Sequence, residues 1–306
     1  MAVNVLLNIL QQGLCYALVA LGVYISYKIL NFPDLTVDSS FPLGGVVCIG
    51  LIQAGCPYFL AIVVAFIAGA SAGLITAFLH LKFKINNLLS GIITMTALLS
   101  INIALSKGRT LIPYNDNKTL FNNNLTSHFA FNQYSGAITN IIILIIIVIA
   151  LKLLLDLFFK TKRGFMLRAV GDNEQMSVSL GSNSGLYKLL GLCLANGIVG
   201  VAGAIYSQYM RYFDNTSGTG MVVIALASVI IGTGIFRKSK LIKGTTSVII
   251  GALIYTASLN IVIAIGVPST YLKLFMALIF AIVLIINNYL PDKKRGKRKM
   301  EDISNA

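Results

Sequence analysis

Tyr58-Phe59-Leu60-Ala61-Ile62-Val63-Val64-Ala65-Phe66-Ile67-Ala68-Gly69-Ala70-Ser71-Ala72-Gly73-Leu74-Ile75-Thr76-Ala77-Phe78-Leu79 runs to His80 without one charged side chain. A stretch of about 20 apolar residues spans a bilayer core as a helix. In hydrocarbon every backbone polar group must be satisfied within the segment, so such a run reads as a helix. Working outward, further apolar segments lie near 4–30, 41–54, 87–106, 137–158, 188–209, 219–236, 244–265 and 270–290. Over the 306 residues, 57% are hydrophobic and 11% charged, against about 25% charged in soluble domains. That excludes an ordinary cytosolic enzyme, a disordered chain and a disulfide-stapled secreted protein. The reading is all-α and polytopic, with about nine transmembrane segments (eight to ten). Residues 1–290 form the membrane domain and 291–306 a basic tail.

Two segments are short. The one at 41–54 follows Phe32-Pro33-Asp34, where proline restricts helix at Phe32. It reads as a broken second helix, tolerated where freed backbone faces protein or a water-filled cavity. The one at 219–236 follows Gly218-Thr219-Gly220 and reads as partly re-entrant.

Lys and Arg collect on the cytoplasmic side. Lys293-Lys294-Arg295-Gly296-Lys297-Arg298-Lys299 therefore places the C-terminus in the cytoplasm, and counting back through nine crossings places the N-terminus outside. Of the 24 Lys and Arg residues, only Lys107, Arg109, Lys118, Arg211 and Lys273 then fall outside. The net charge of +14 is thus assigned to orientation and inner-leaflet contact rather than to nucleic acid. Residues 107–136 form the longest outside loop, and the sequons at Asn117 and Asn124 are read as chance matches in an Asn-rich stretch. Residues 159–187 form the longest inside loop. The N-terminus lacks the basic region and small-residue cleavage site of a signal peptide.

No GxxxxGK[ST] loop, HExxH, GxSxG or Cys/His nucleophile pattern occurs. Cys15, Cys48, Cys56 and Cys193 are scattered and read as free thiols, and no metal or cofactor is expected. Asn8, Gln12 and Tyr16 recur at four-residue spacing and form a polar stripe, which faces a cavity or a partner helix rather than lipid. Asp34 and Asp38 flank the broken helix. They border a translocation route, or Asp38 only caps the short helix starting near Ser39. Gly69 and Gly73, with Gly197, Gly200 and Gly203, mark close helix approach, within one chain or at a dimer seam. Asn102, Asn196 and Asn260 read as helix-to-helix hydrogen bonds. In the inside loop, Asp172-Asn173 can cap a helix, Glu174 sits in its first turn and Gly181 can end it. Such a helix suits docking to a cytoplasmic partner; the alternative is a solvated connector.

The run Arg163-Gly164 … Leu167-Arg168-Ala169-Val170-Gly171-Asp172-Asn173 … Leu180-Gly181, followed by Gly200-Val201-Ala202-Gly203-Ala204, resembles the permease subunits of bacterial ABC importers, the branched-chain amino acid and ribose types above all. Leu7 to Gly13 and Ala17 to Gly22 are similar to their early span. Asp34-Leu35-Thr36-Val37-Asp38 is similar to the Asp-Leu-Ser-Val-Gly stretch of the sugar permeases, and Ala225 to Gly232 to the short helix before their Gly-Gly turn. The pieces keep their order over nearly the whole chain. The resemblance implies that Arg163, Gly164, Arg168, Ala169, Gly171, Asn173 and Gly181 belong to a coupling segment that docks into separate cytoplasmic ATPase subunits. It also implies an extracellular substrate-binding protein and a second permease copy, as a homodimer or a pair of permeases. The chain itself is then no enzyme. Asp38 stands where the sugar permeases carry Gly, and Gly232-Thr233-Gly234 with the basic run from Phe236 to Lys240 replaces their turn. The Asp-containing form resembles a subgroup linked to amino acids, aromatic ones among them. The competing reading, a secondary transporter driven by an ion gradient, needs an intramembrane ion site and internal repeats, and neither is clear in the sequence.

Overall fold

The computed structural model describes residues 2–115, 117–122, 135–179, 181–237 and 242–289. The basic tail, the sequon at Asn124 and most of the run from Phe236 to Lys240 lie outside these residues. The described chain is helical apart from one two-stranded ribbon. α1 covers Ala2–Val23 and continues as a π-helical turn, Tyr24–Ile29. There follow α2 (Val37–Gln53), α3 (Tyr58–Phe83), α4 (Asn87–Leu105), β1 (Leu111–Pro113) and α5 (Ser135–Phe158). Next come α6 (Lys162–Asp172), α7 (Glu174–Ser179), α8 (Ser184–Met210) and β2 (Tyr212–Asp214). α9 (Met221–Ile235), α10 (Gly244–Ala264) and α11 (Leu272–Tyr289) complete the chain.

Each of the nine apolar segments falls on a helix. Seven helical stretches among the described residues are long and apolar enough to cross a membrane, and Val37–Gln53 and Leu272–Ile286 are shorter. The long ones expose aliphatic stripes such as Ile142, Ile146, Ile149 and Leu153 on α5, as a lipid-facing surface requires.

α8 is the central column, 27 residues long and therefore about 40 Å. Small residues bring α2 and α3 onto it. A Cβ on Gly69 would overlap the Asn196 carbonyl, one on Gly73 the Leu192 carbonyl, one on Gly44 the Gly200 carbonyl, and one on Gly203 the Phe41 carbonyl. Close backbone approach replaces the missing hydrophobic drive between membrane helices. The small-residue faces therefore pack within this chain.

The non-helical stretch lies around Pro33, between the π-turn and α2, and α2 itself runs unbroken from Val37 to Gln53 with Pro42 inside it, so the expected break is a connector and not an interruption of the second helix. After the π-turn, Asn31 adopts φ 53° and the chain stays non-helical until Val37, two residues before the expected start at Ser39. The inside loop differs from expectation. It holds two helices rather than one beginning at Asp172, because Thr161 caps α6 by accepting from Gly164 N at 3.2 Å, with Leu167 and Val170 buried beneath it. Asn173 then caps α7, its side chain accepting from Met176 N at 3.0 Å.

Gln11 on α1 donates to Ala137 O at the start of α5 and accepts from Tyr209 at the end of α8. The N-terminal half of α1 thus lies at the end of the bundle that carries the β1–β2 ribbon. α5 crosses once from that end to α6 and α7, which lie at the other.

Candidate translocation site

The non-helical stretch before α2 lies against the middle of α8. Asp34, 5% exposed, accepts from Thr36 N at 2.9 Å and from Asn196 Nδ2 at 2.7 Å. Asn196 in turn accepts from Ser40 Oγ at 2.9 Å through Oδ1. Thr36 Oγ1 and Thr76 Oγ1 share a bond of 2.8 Å, and Asn102 Nδ2 donates to Ser39 O at 3.0 Å. This polar layer supplies the partners that unwound backbone needs at such depth. Two of the three mid-span amides thus tie helices together, whereas Asn260 bonds its own helix at Thr256 O.

Asp38 does not cap its own helix. Its carboxylate accepts from Val222 N at 2.8 Å and Gly220 N at 3.2 Å, closing the N-terminus of α9. A helix start carries unpaired N–H groups and positive dipole, and a carboxylate satisfies both. Pro42 has no N–H to donate to the Asp38 carbonyl four residues back, and Gly218 packs against that carbonyl and the Pro42 ring. The start of α2 therefore meets the start of α9, and with the turn before it the seventh segment, Asn215–Ile235, is long enough to cross a membrane.

The first-span stripe is divided by the fold. Asn8 is exposed on the chain, and Gln12 and Tyr16 are half-buried. Tyr16 stacks on Tyr206 with centroids 6.2 Å apart, and Tyr206 lies 5.5 Å from the Phe41 ring. Gln11, one position off the stripe, is the buried amide. Gln11 is polar on an apolar span but off the four-residue stripe, and nothing in the sequence around Tyr206, Tyr209 or Asp214 marks them; their tertiary contacts alone bring them out.

At the opposite end, α6 is seated on the end of α1. A Cβ on Gly171 would overlap the Ile29 carbonyl, and one on Gly164 the Phe158 carbonyl. Gly171 is thus required by close approach, whereas Gly181 is required by its φ of +79°. Arg163 and Arg168 are exposed and Ala169 is half-buried. The Arg168 guanidinium rests over Phe159 at 4.6 Å, and Phe159 meets Tyr24 edge-on at 6.4 Å. Glu174 accepts from Lys188 Nζ at 2.7 Å, and this bond holds its carboxyl below the usual value. Nearby, Asp156 accepts from Lys243 Nζ at 3.0 Å and Thr245 Oγ1 at 2.7 Å, joining α5 to α10. Among the described residues, no three His, Cys, Asp or Glu side chains cluster as a metal site.

Known proteins are similar in sequence to most of this chain. A tyrosine transport system permease protein of Clostridioides difficile is 38% identical over 96% of this chain and 95% of its own length. An uncharacterised protein of Rickettsia prowazekii is 33% identical over 92% and 97%. A ribose import permease of Escherichia coli is 26% identical over 94% and 86%. No solved structure matches. Residues 5–286 match the family described as the permease component of the branched-chain amino acid transport system, and the chain belongs to that permease family.

Proposed function

We propose that this chain is the membrane-spanning subunit of an ATP-binding-cassette importer for a small amino-acid-like solute. The observation that carries the reading is the seating of α6 on α1: Gly171 against Ile29 O, at the π-helical turn directly before the non-helical stretch. π-turns recur at functional sites in helices. A partner that moves α6 thus displaces the end of α1, and through it the stretch that holds Asp34 and Asp38. ATP hydrolysis belongs to separate cytoplasmic subunits. Arg163, Gly164, Arg168, Ala169, Gly171, Asn173 and Gly181 form or shape the segment that docks them. An extracellular binding protein delivers solute at the ribbon end.

The chain sits in a bacterial cell membrane, N-terminus outside and C-terminus in the cytoplasm, with 291–306 as its basic tail. The route runs beside the start of α2. Asp34 and Asp38 hold its unwound border, and Asn8, Gln12 and Tyr16 line it where a second permease copy closes it. Co-expression with a partner ATPase subunit tests the proposal. The ATPase should co-purify with the intact chain and be lost with Arg168→Glu; a chain that transports solute with no ATPase bound would overturn it.

A further inference from the structure

Where α2 and α4 end beside β1, an open cleft of about 440 Å³ lies between them. That volume lies within the range of small-molecule sites. Its floor is apolar: Val46, Ile49 and Ile112 are buried, and Leu105 forms a wall that is 51% exposed. Its rim is basic, because Lys107 and Arg109 both line it and both are exposed. No Asp or Glu is among the described residues that line it. Among the described residues the ion pairs form at Asp156 and Glu174, and none involves Lys107 or Arg109.

The turn after α4 brings the two charges to one place. Ser106 ends the helix, Lys107 adopts φ 55° and Gly108 φ 74°. Gly108 N donates to Ile103 O at 2.9 Å and Arg109 N to Ser106 O at 3.1 Å, which closes the turn on the helix. Just before it, Ile101 and Ile103 are exposed on α4. An aliphatic helix face thus leads into a concave surface with two cations at its lip, where a span ends. A small free anion would use the cations and leave the apolar floor unused, and so would the acidic surface of a soluble protein. An anionic phospholipid uses both, since basic side chains attract its headgroup and apolar surface takes its chain. Orientation does not account for this pair, which stands with the minority of basic residues on the outer side in the topology proposed above.

We propose that this cleft is a binding site for an anionic phospholipid headgroup, with Lys107 and Arg109 holding the phosphate and Val46, Ile49 and Leu105 the glycerol and upper acyl segment. Two cations facing one phosphate favour a headgroup of net negative charge, because a zwitterionic one brings its own ammonium to the same rim. The site requires only that the chain spans a membrane and does not depend on the transport reading.

The test places the full chain in phosphatidylcholine nanodiscs with a small fraction of phosphatidylglycerol carrying a diazirine in its upper acyl chain, and maps the photoadducts by peptide mass spectrometry. Adducts should concentrate on residues 46–54 and 105–112. Unlabelled phosphatidylglycerol should displace them, and inorganic phosphate should not. Lys107→Gln and Arg109→Gln together should lower the yield there by about 20-fold, since each basic residue near an anionic headgroup is worth about fivefold. Adducts elsewhere should be unchanged, and Lys118→Gln, which removes a charge outside this cleft, should change nothing at 46–54 and 105–112. Thermal unfolding of the double variant should match wild type, which separates lost binding from lost fold. Equal labelling by a phosphatidylcholine probe would reduce the pair to an interfacial anchor and overturn the site. Displacement by inorganic phosphate would overturn it in favour of a free anion. Unchanged adducts in the double variant also overturn it, and loss of uptake in that variant would then give the pair to a protein partner.

Discussion

Asp38 and Val222 lie 184 positions apart, yet the Asp38 Oδ1 oxygen accepts from Val222 N at 2.8 Å. One carboxylate at the start of α2 thereby satisfies the N-terminus of another helix. Buried N–H groups within a membrane need such a partner.

Asp38→Ala should destabilise the chain by about 2 kcal/mol, because the α9 N–H groups are left buried and unpaired. Asp38→Asn keeps an acceptor for Val222 and loses only the charge–dipole attraction, about 1 kcal/mol or less. Thermal unfolding in nanodiscs checks the order. Equal losses in the two variants would count against the capping role.

Asn196→Leu removes the partner of Asp34 and Ser40 together. It should cost about 3 kcal/mol or more, since a buried carboxylate loses a hydrogen bond of 2.7 Å. A double-mutant cycle with Asp34→Asn should then give a coupling energy of about 1 kcal/mol or more. Additive losses would show that the two side chains do not depend on each other.

Gly171→Leu should displace α6 from α1, because even a Cβ overlaps the Ile29 carbonyl. We expect uptake to be lost, with a stability loss of about 1–3 kcal/mol. Arg168→Glu forfeits only an exposed cation–π contact worth about 0.5–1 kcal/mol. It should leave the fold intact and abolish uptake. Uptake assays paired with thermal unfolding separate the two effects.

In a Cys-less background, Thr110→Cys and Gln175→Cys should label from opposite sides of the membrane, Thr110→Cys from outside. The single crossing of α5 between them requires opposite sides, and the Lys and Arg distribution sets which is which. Labelling of both from one side would contradict the topology.

Glu174 links α7 to Lys188, and that bond lowers its carboxyl below the ordinary value of 4.5. A lowered carboxyl contributes stability that is fully present above the unfolded value and is lost as pH falls through the folded one. Amide protection of α7 should therefore hold at neutral pH and fall as the pH drops below the ordinary carboxylate range. Lys188→Met should remove that dependence, as hydrogen exchange would reveal.

Composition and apolar runs alone determined the polytopic helical class and the places of the apolar helices, because hydrocarbon leaves the backbone no alternative to internal hydrogen bonds; of the nine segments expected to cross, seven among the described residues are long enough to do so. Gly69, Gly73, Gly200 and Gly203 could be read as close-approach positions, and Gly181 as a helix end, since missing side chains and positive φ are local properties. The partners of those residues were not legible. Asp38 capping α9, Asn196 holding Asp34 and Gly171 facing Ile29 each pair residues distant in sequence. The inside loop formed two helices instead of one because Leu167 and Val170 found a buried surface beneath them. Spacing along the chain carries periodicity and caps; only packing of α2, α3 and α9 around α8 decides which polar groups meet, and that packing is set by backbone contact at glycines rather than by any one motif.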